Sequence, residues 1–147
     1  SDGVFLQDAT QDDIALIYGW QSHPDTRKYA LTPNVPKWSD HQTWMSKKLQ
    51  STSDYFYMVI NRADRSKVGA VRLDRIGLGD YLVSIFVDPN NYGKGFAFRT
   101  LKAIDEIHPD VTLHATVLKQ NMASHRLFKK ARYQKINEES YIREPID

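Results

Sequence analysis

The stretch Phe86-Val87-Asp88-Pro89-Asn90-Asn91-Tyr92-Gly93-Lys94-Gly95-Phe96-Ala97 carries residue types suited to gripping a charged ligand with the main chain. Phe86 and Val87 read as a strand end, Pro89 stops strand pairing, and Gly93, Gly95 and small Ala97 lead into a helix. Glycine has no Cβ, so its backbone N–H can approach a ligand closely. A helix start adds unsatisfied donors and the positive end of a dipole, and the combination can hold a pyrophosphate. Taken alone, a G-x-G pair reads more simply as a tight turn. It is not the dinucleotide fingerprint, which needs a third glycine in a βαβ unit at the chain start. Nor is it a P-loop, because no Gly-Lys-Ser/Thr follows.

The elements that must position this turn follow from periodicity and punctuation. Val4 to Ala9 reads as a strand, and Thr10 with Asp13 resembles a capping box. Ile14, Ile17 and Tyr18, with Leu16 and Trp20 as a second stripe, predict a helix that Pro24 ends. Pro33 and Pro36 hold an irregular segment. A second helix is expected behind a Ser39/Gln42 capping box, with His41, Trp44, Met45, Lys48 and Leu49 on one side. Tyr55 to Ile60 and Val68 to Asp74 form a hairpin around Arg62–Ser66, and Gly77 and Gly79 turn the chain into Tyr81 to Val87. A helix carrying Ala97, Leu101 and Ile104 follows the glycine turn. Val111 to Val117 then alternates cleanly, and a last helix from near Asn121 carries Leu127, Phe128 and Ala131. Tyr133 to Ile136 and Ser140 to Ile146 close the chain as strands. The order β-α-α-β-β-β-α-β-α-β-β predicts an α/β fold with one mixed, mostly antiparallel central sheet flanked by helices.

Composition narrows the function classes. At 147 residues, with 41% hydrophobic and 26% charged residues, the chain is expected to form one globular domain over 1–147. No apolar run is long enough to span a bilayer, and a net charge of +2 argues for neither nucleic acid nor an anionic membrane. The absence of cysteine excludes disulfides and thiolate metal sites and fits a cytoplasmic protein. No His/Asp/Glu spacing resembles a metal site. A chain that opens on Ser1 rather than Met fits an engineered or processed start, or a domain of a longer protein. Oligomeric state is left open.

Two motifs in order carry a family resemblance. Tyr92-Gly93-Lys94-Gly95-Phe96-Ala97 resembles the R/Q-x-x-G-x-G/A motif of the GNAT superfamily of N-acetyltransferases, with Tyr in the first position. Asn121 to Tyr133, NMASHRLFKKARY, resembles that family's N-x-x-[AS]-x-x-L-[YF]-x-x-x-G-[FY], with Arg132 at the Gly position. The resemblance implies that acetyl-CoA binds as co-substrate against Phe86, Val87, Tyr92, Gly93, Lys94, Gly95, Phe96 and Ala97, with Asn121, Ser124 and Phe128 on the last helix. It also implies that the strands Tyr81–Val87 and Val111–Val117 splay apart to admit the pantetheine. Arg132 then occupies a helix C-terminus that favours left-handed geometry.

Acyl transfer needs a neutral amine, a donor for the oxyanion and a proton for the departing thiolate. The position where many relatives place an acidic Tyr is Phe128. Ser124, one turn earlier, either hydrogen-bonds the thiolate or is a solvent-facing or backbone-bonded helix serine. No Glu occupies the Tyr81–Val87 strand, so Asp74 and His41 are the candidate bases. Asp74 equally fits a turn former, and His41 a packed surface histidine.

On the acceptor side, Trp20-Gln21-Ser22-His23-Pro24-Asp25-Thr26-Arg27-Lys28 resembles the W-R-N-x-P-x-x-R segment of several GNAT groups. With Ser39 to Trp44 it is similar to the N-acetyltransferases of pseudaminic acid biosynthesis, which acetylate the 4-amino group of a UDP-linked amino sugar. The resemblance implies a small-molecule amine acceptor, with Arg27 pairing to a diphosphate, Trp44 or Tyr29 stacking on a base or sugar, and His41 beside them. Trp20 and Trp44 equally fit core positions, and Arg27 a surface charge. Two alternatives stay open: a protein N-terminal acetyltransferase of the ribosomal-protein type, and a non-catalytic CoA-binding regulatory module.

Overall fold

The computed structural model describes residues 3–28 and 34–146; Tyr29 and Pro33 lie outside them. Strand β1 (Val4–Asp8) ends where the Thr10 hydroxyl accepts from the Asp12 N–H at 3.3 Å and Asp13 accepts from the Thr10 N–H at 2.9 Å. This is the expected capping box, and it opens a 3-10 turn that runs into α1 (Ile14–Ser22). Pro24 does not simply terminate that helix. It begins a short α2 (Pro24–Arg27), with His23 Nδ1 accepting from the Asp25 N–H at 3.1 Å. Proline at the first helical position gives up no hydrogen bond, which is why the chain restarts there.

Helix α3 (Trp38–Gln50) begins earlier than the Ser39/Gln42 box predicts. Lys37 is its N-cap, without a side-chain bond, so Ser39 and Gln42 lie inside the helix. The Tyr18 hydroxyl donates to the Pro36 carbonyl at 2.8 Å and pins the entry to α3 in place of a cap.

Strands β2 (Tyr55–Asn61), β3 (Lys67–Gly77) and β4 (Asp80–Val87) form the meander. β3 continues past Asp74 through an irregularity at Arg75/Gly77, so Asp74 lies within the strand rather than at its end. Helix α4 (Phe96–Ile107), β5 (Thr112–Thr116), α5 (Met122–Lys130), β6 (Gln134–Asn137) and β7 (Ser140–Arg143) complete the order. β5 and β7 are shorter than the sequence predicts: beyond them the Val117 N–H donates to the Glu139 carbonyl at 2.9 Å and the Ile146 N–H to the Pro109 carbonyl at 2.7 Å.

Among the described residues the sheet has the order β1-β2-β3-β4-β5-β7-β6, antiparallel except where β4 meets β5. This mixed sheet, flanked by helices, is the fold class expected from the sequence. One face packs against α4 and α5 around Leu73, Leu101, Ile104, Leu113 and Tyr141. The other carries Phe56, Met58 and Ala70 under α1 and α3, against Ile17, Trp20 and Met45. β4 and β5 pair only from Asp80↔Thr112 to Leu82↔His114 and then part, as the resemblance implies.

Helix α5 closes with the Tyr133 N–H donating to the Phe128 carbonyl at 2.9 Å and the Arg132 N–H to the Lys129 carbonyl at 3.0 Å. Arg132 therefore sits at φ 68°, the left-handed geometry expected of the motif's Gly position.

Gly69 marks a close approach of β3 to β4: a Cβ there would lie 2.5 Å from the Phe86 carbonyl oxygen. Gly69→Ala is expected to cost about 1–3 kcal/mol, because backbone rather than a mobile side chain must give way. Urea unfolding measures it, and an unchanged midpoint would show that the two strands part freely.

Candidate active site

The open edge of β4 forms one wall of a cavity of about 1220 Å³. Val83 to Val87 line it on one side, and Thr116, Val117 and Leu118 on the other. At its end the Asp88 carboxylate accepts from the Asn90 N–H at 3.0 Å and starts the 3-10 turn Pro89–Asn91. Gly93 and Gly95 follow with φ of 77° and 82°, and a Cβ on either would project into open space. Gly95 is the N-cap of α4 and no side chain caps that helix, so its first-turn amides are left for a ligand or water. Phe96 and Ala97 line the same wall, whereas Lys94 turns outward and donates to Asn91 Oδ1 at 3.1 Å.

From α5, Asn121, Ser124, Leu127 and Phe128 face the cavity. Asn121 caps the helix, its Oδ1 accepting from the Ser124 N–H at 3.2 Å. The Ser124 hydroxyl forms no hydrogen bond among the described residues. Phe128 is at once lining and core, its ring 5.0 Å from Tyr133 and 5.8 Å from Tyr141.

The third wall comes from α1, α2 and α3. Arg27 lines it and donates from Nη1 to the Asn34 carbonyl at 3.1 Å. Trp20 and Trp44 are also lining, Trp20 while remaining part of the core under α1. His41 is buried rather than a surface histidine, at 3% exposure. Its Nε2 faces the Ile14 carbonyl at 3.2 Å, and its ring lies 5.1 Å from Tyr18 and 5.9 Å from Trp44. Burial pushes its pKa down, with the Ile14 carbonyl partly opposing that. Tyr29 is outside the described residues.

Asp74 is not brought to the cavity. Its carboxylate accepts from Arg72 Nε at 2.9 and 3.0 Å and from Lys48 Nζ at 3.2 Å, an engagement that a strand-end turn reading does not foresee.

Three contributions escape the sequence reading. Arg72 and Ser84, directly opposite each other in the β3–β4 register, both line the cavity. A lone Arg between Val71 and Leu73 in an apolar strand was the available signal. The Tyr92 hydroxyl also lies 3.1 Å from Thr26 Oγ1, joining the glycine turn to α2 across the cavity mouth. Nothing local in the sequence signals that contact.

Residues 4–134 match the acetyltransferase (GNAT) domain family. The chain belongs to the GNAT acetyltransferase family. It is 25% identical over 126 residues to the acetyltransferase PseH of Campylobacter jejuni subsp. jejuni serotype O:23/36 (strain 81-176), covering 80% of this chain and 74% of the relative. Among solved structures its fold is similar to RimL, a ribosomal L7/L12 alpha-N-protein acetyltransferase in complex with coenzyme A. That match has TM-score 0.80 and 13% identity, and it covers 100% of this chain and 96% of the other. A spermidine N-acetyltransferase from Vibrio cholerae, in complex with CoA and spermine, gives TM-score 0.77 at 17% identity, over 93% and 84% of the two chains. No described helix is long and apolar enough to cross a membrane, and no described cluster of His, Asp or Glu could hold a metal ion.

Because burial lowers the pKa of His41 in the fold, the unfolded chain binds more protons than the native one below its ordinary value, near 6.5. Stability is therefore complete above that pH and declines as the pH falls past it. His108, buried and lowered in the same way, contributes in the same direction. His41→Gln is expected to remove part of the decline in urea midpoint between pH 7.5 and 5.5. An unaltered decline would place the whole effect elsewhere.

Proposed function

We propose that this chain transfers acetyl from acetyl-CoA to the 4-amino group of a UDP-linked amino sugar. The observation that carries the reading is the parting of β4 from β5 directly ahead of the uncapped start of α4. It presents strand-edge amides and helix-start amides in one continuous cavity. The backbone at Phe86 and Val87 fits an amide-bearing arm such as pantetheine. Gly93, Gly95, Phe96 and Ala97 fit its diphosphate. Tyr92 takes no part in phosphate binding in this reading; it holds the turn to Thr26.

The chemistry assigned to the chain's own residues is modest. The β4 edge supplies N–H donors to the carbonyl oxygen as it gains charge. Attack by the amine forms the C–N bond, and the C–S bond breaks with its electron pair going to sulfur. The proton lost by nitrogen ends on that sulfur. Ser124, with its hydroxyl uncommitted, stands as donor to the thiolate. Asp74, tied to Arg72 and Lys48, is left out of the transfer.

The acceptor reading is supported by the third wall and by the similarity to PseH. Arg27 and Lys28 stand at a rim where a diphosphate brings negative charge, and half-buried Trp44, with His41 packed behind it, fits a sugar or base. If it holds, free UDP competes with the amine and not with acetyl-CoA in steady-state inhibition. Arg27→Ala should then raise the acceptor KM roughly tenfold, the loss of one charge-assisted pair. Failure of millimolar UDP to compete, together with acetylation of a peptide N-terminus, would replace this acceptor with a protein one. Binding of CoA without turnover of any amine would make the chain a regulatory module.

A further inference from the structure

An acceptor amine must present a lone pair, yet an alkylamine with a pKa near that of lysine, about 10.4, is protonated at neutral pH. Free base is obtained either by a nearby proton acceptor or by a field that makes the charged form costly. The cavity holds the second device. Arg72 projects from β3 on the face shared with Phe56 and Ala70, opposite Ser84 of β4. That places it one strand spacing, about 5 Å, from the edge that β5 leaves open.

Its guanidinium is fixed. Both oxygens of Asp74 take the Nε–H, and the guanidinium carbon lies 4.8 Å from the Trp44 ring centroid and 5.8 Å from that of Phe86. Its two terminal amino groups have no hydrogen-bond partner among the described residues, and Arg72 lines the cavity. A guanidinium does not lose its charge at any working pH.

The other charged groups around it are few. On its own strand stands Asp74, with Lys48 of α3 at 3.2 Å and Asp54 at 3.6 Å from that lysine. α3 also supplies His41 and Asp40, and α2 supplies Asp25, Arg27 and Lys28. β2 and β4 bring Phe56 and Ser84, which do not titrate in this range. Asp25 and Asp40 are exposed on the rim, and His41 Nε2 is committed to the Ile14 carbonyl. Asp74 is the carboxylate bonded to the guanidinium, at Nε, and it is not among the residues that line the cavity.

We propose that Arg72 keeps the acceptor amine in its free-base form, so that repulsion by a fixed cation, rather than a carboxylate base, readies the nucleophile. This rests on the acetyl-transfer reading above. One proton of the ammonium is left in solvent on entry. The second leaves nitrogen after the C–N bond forms and ends on the thiolate released by C–S cleavage, giving amide and thiol. The same field disfavours acceptors that bring a second ammonium close to the first.

The test is the pH dependence of the single-turnover rate constant at saturating acetyl-CoA and UDP-linked 4-amino sugar, which reports ionisation in the ternary complex. The wild type is expected to hold its rate down to pH 7. Arg72→Gln should raise the apparent pKa by about two units, to about 8, so that the rate at pH 7 falls about tenfold and recovers near pH 9. Arg72→Lys should keep the wild-type profile. Asp74→Asn, which unmasks the guanidinium, should shift the profile the opposite way from Arg72→Gln. Profiles that stay put, or two variants that move together, overturn the proposal. So does a pH-independent loss shared by Arg72→Gln and Arg72→Lys. If the wild type acetylates a peptide amine and not the sugar, the nucleotide-sugar reading falls and the same profiles on the peptide decide Arg72. No turnover of any amine overturns both.

Discussion

Everything in the site depends on one interrupted ladder. β4 and β5 hold each other through Leu82 and His114, and then β4 runs on with only β3 beside it. Backbone amides inside a fold are costly when unpaired, so an edge left open beside a large cavity is kept only where a ligand or water can meet it. The parting needs causes on both strands. Asp88 and Pro89 turn β4 into the glycine turn, while Val117 bonds across to the Glu139 carbonyl at 2.9 Å and draws the end of β5 toward β7. Helix α5 stands against the gap, with its N-cap Asn121 and Ser124 turned into it.

The two faces of the sheet divide the labour. The α4/α5 face carries the larger core and backs the glycine turn and α5, with Tyr141 stacked on the cavity-lining Phe128. The α1/α3 face carries the smaller core, and at its edge the Arg72 guanidinium lies against the Trp44 ring, 4.8 Å from its centroid. Arg72 places a fixed positive charge in the cavity wall, and its counter-ion Asp74 is not among the lining residues. The contact between Tyr92 and Thr26 then joins the glycine turn to α2.

What the sequence disclosed is what local pattern records. Gly93 and Gly95 adopt the positive φ their residue type allows, Arg132 takes the left-handed position its place in the motif demands, and the alternation of Leu113 and Ala115 marks a buried face. The resemblance to a known family also implied the splay, which no single-strand pattern encodes. The misses share a physical reason. The restart of α2 at Pro24 turns on one histidine cap, and the early start of α3 on a bond from Tyr18, 18 residues before Pro36. Asp74 reads as a turn former until β3 is seen to run beyond it and Lys48, 26 residues away, is seen to hold it. Arg72 has meaning only once Ser84 and Trp44 are known to face the same space. Contacts set by tertiary packing leave no mark in a window of neighbouring residues.

At issue is whether the unpaired edge of β4 receives the amide-bearing arm of CoA, as proposed. Amide hydrogen exchange of Val83 to Val87, with and without saturating CoA, addresses it most directly. Exchange of those amides in this segment that face away from β3 is expected to slow at least tenfold on binding, while the paired segment from Asp80 to Leu82 changes little. CoA that binds with normal affinity yet leaves the Val83 to Val87 amides exchanging as before would contradict it.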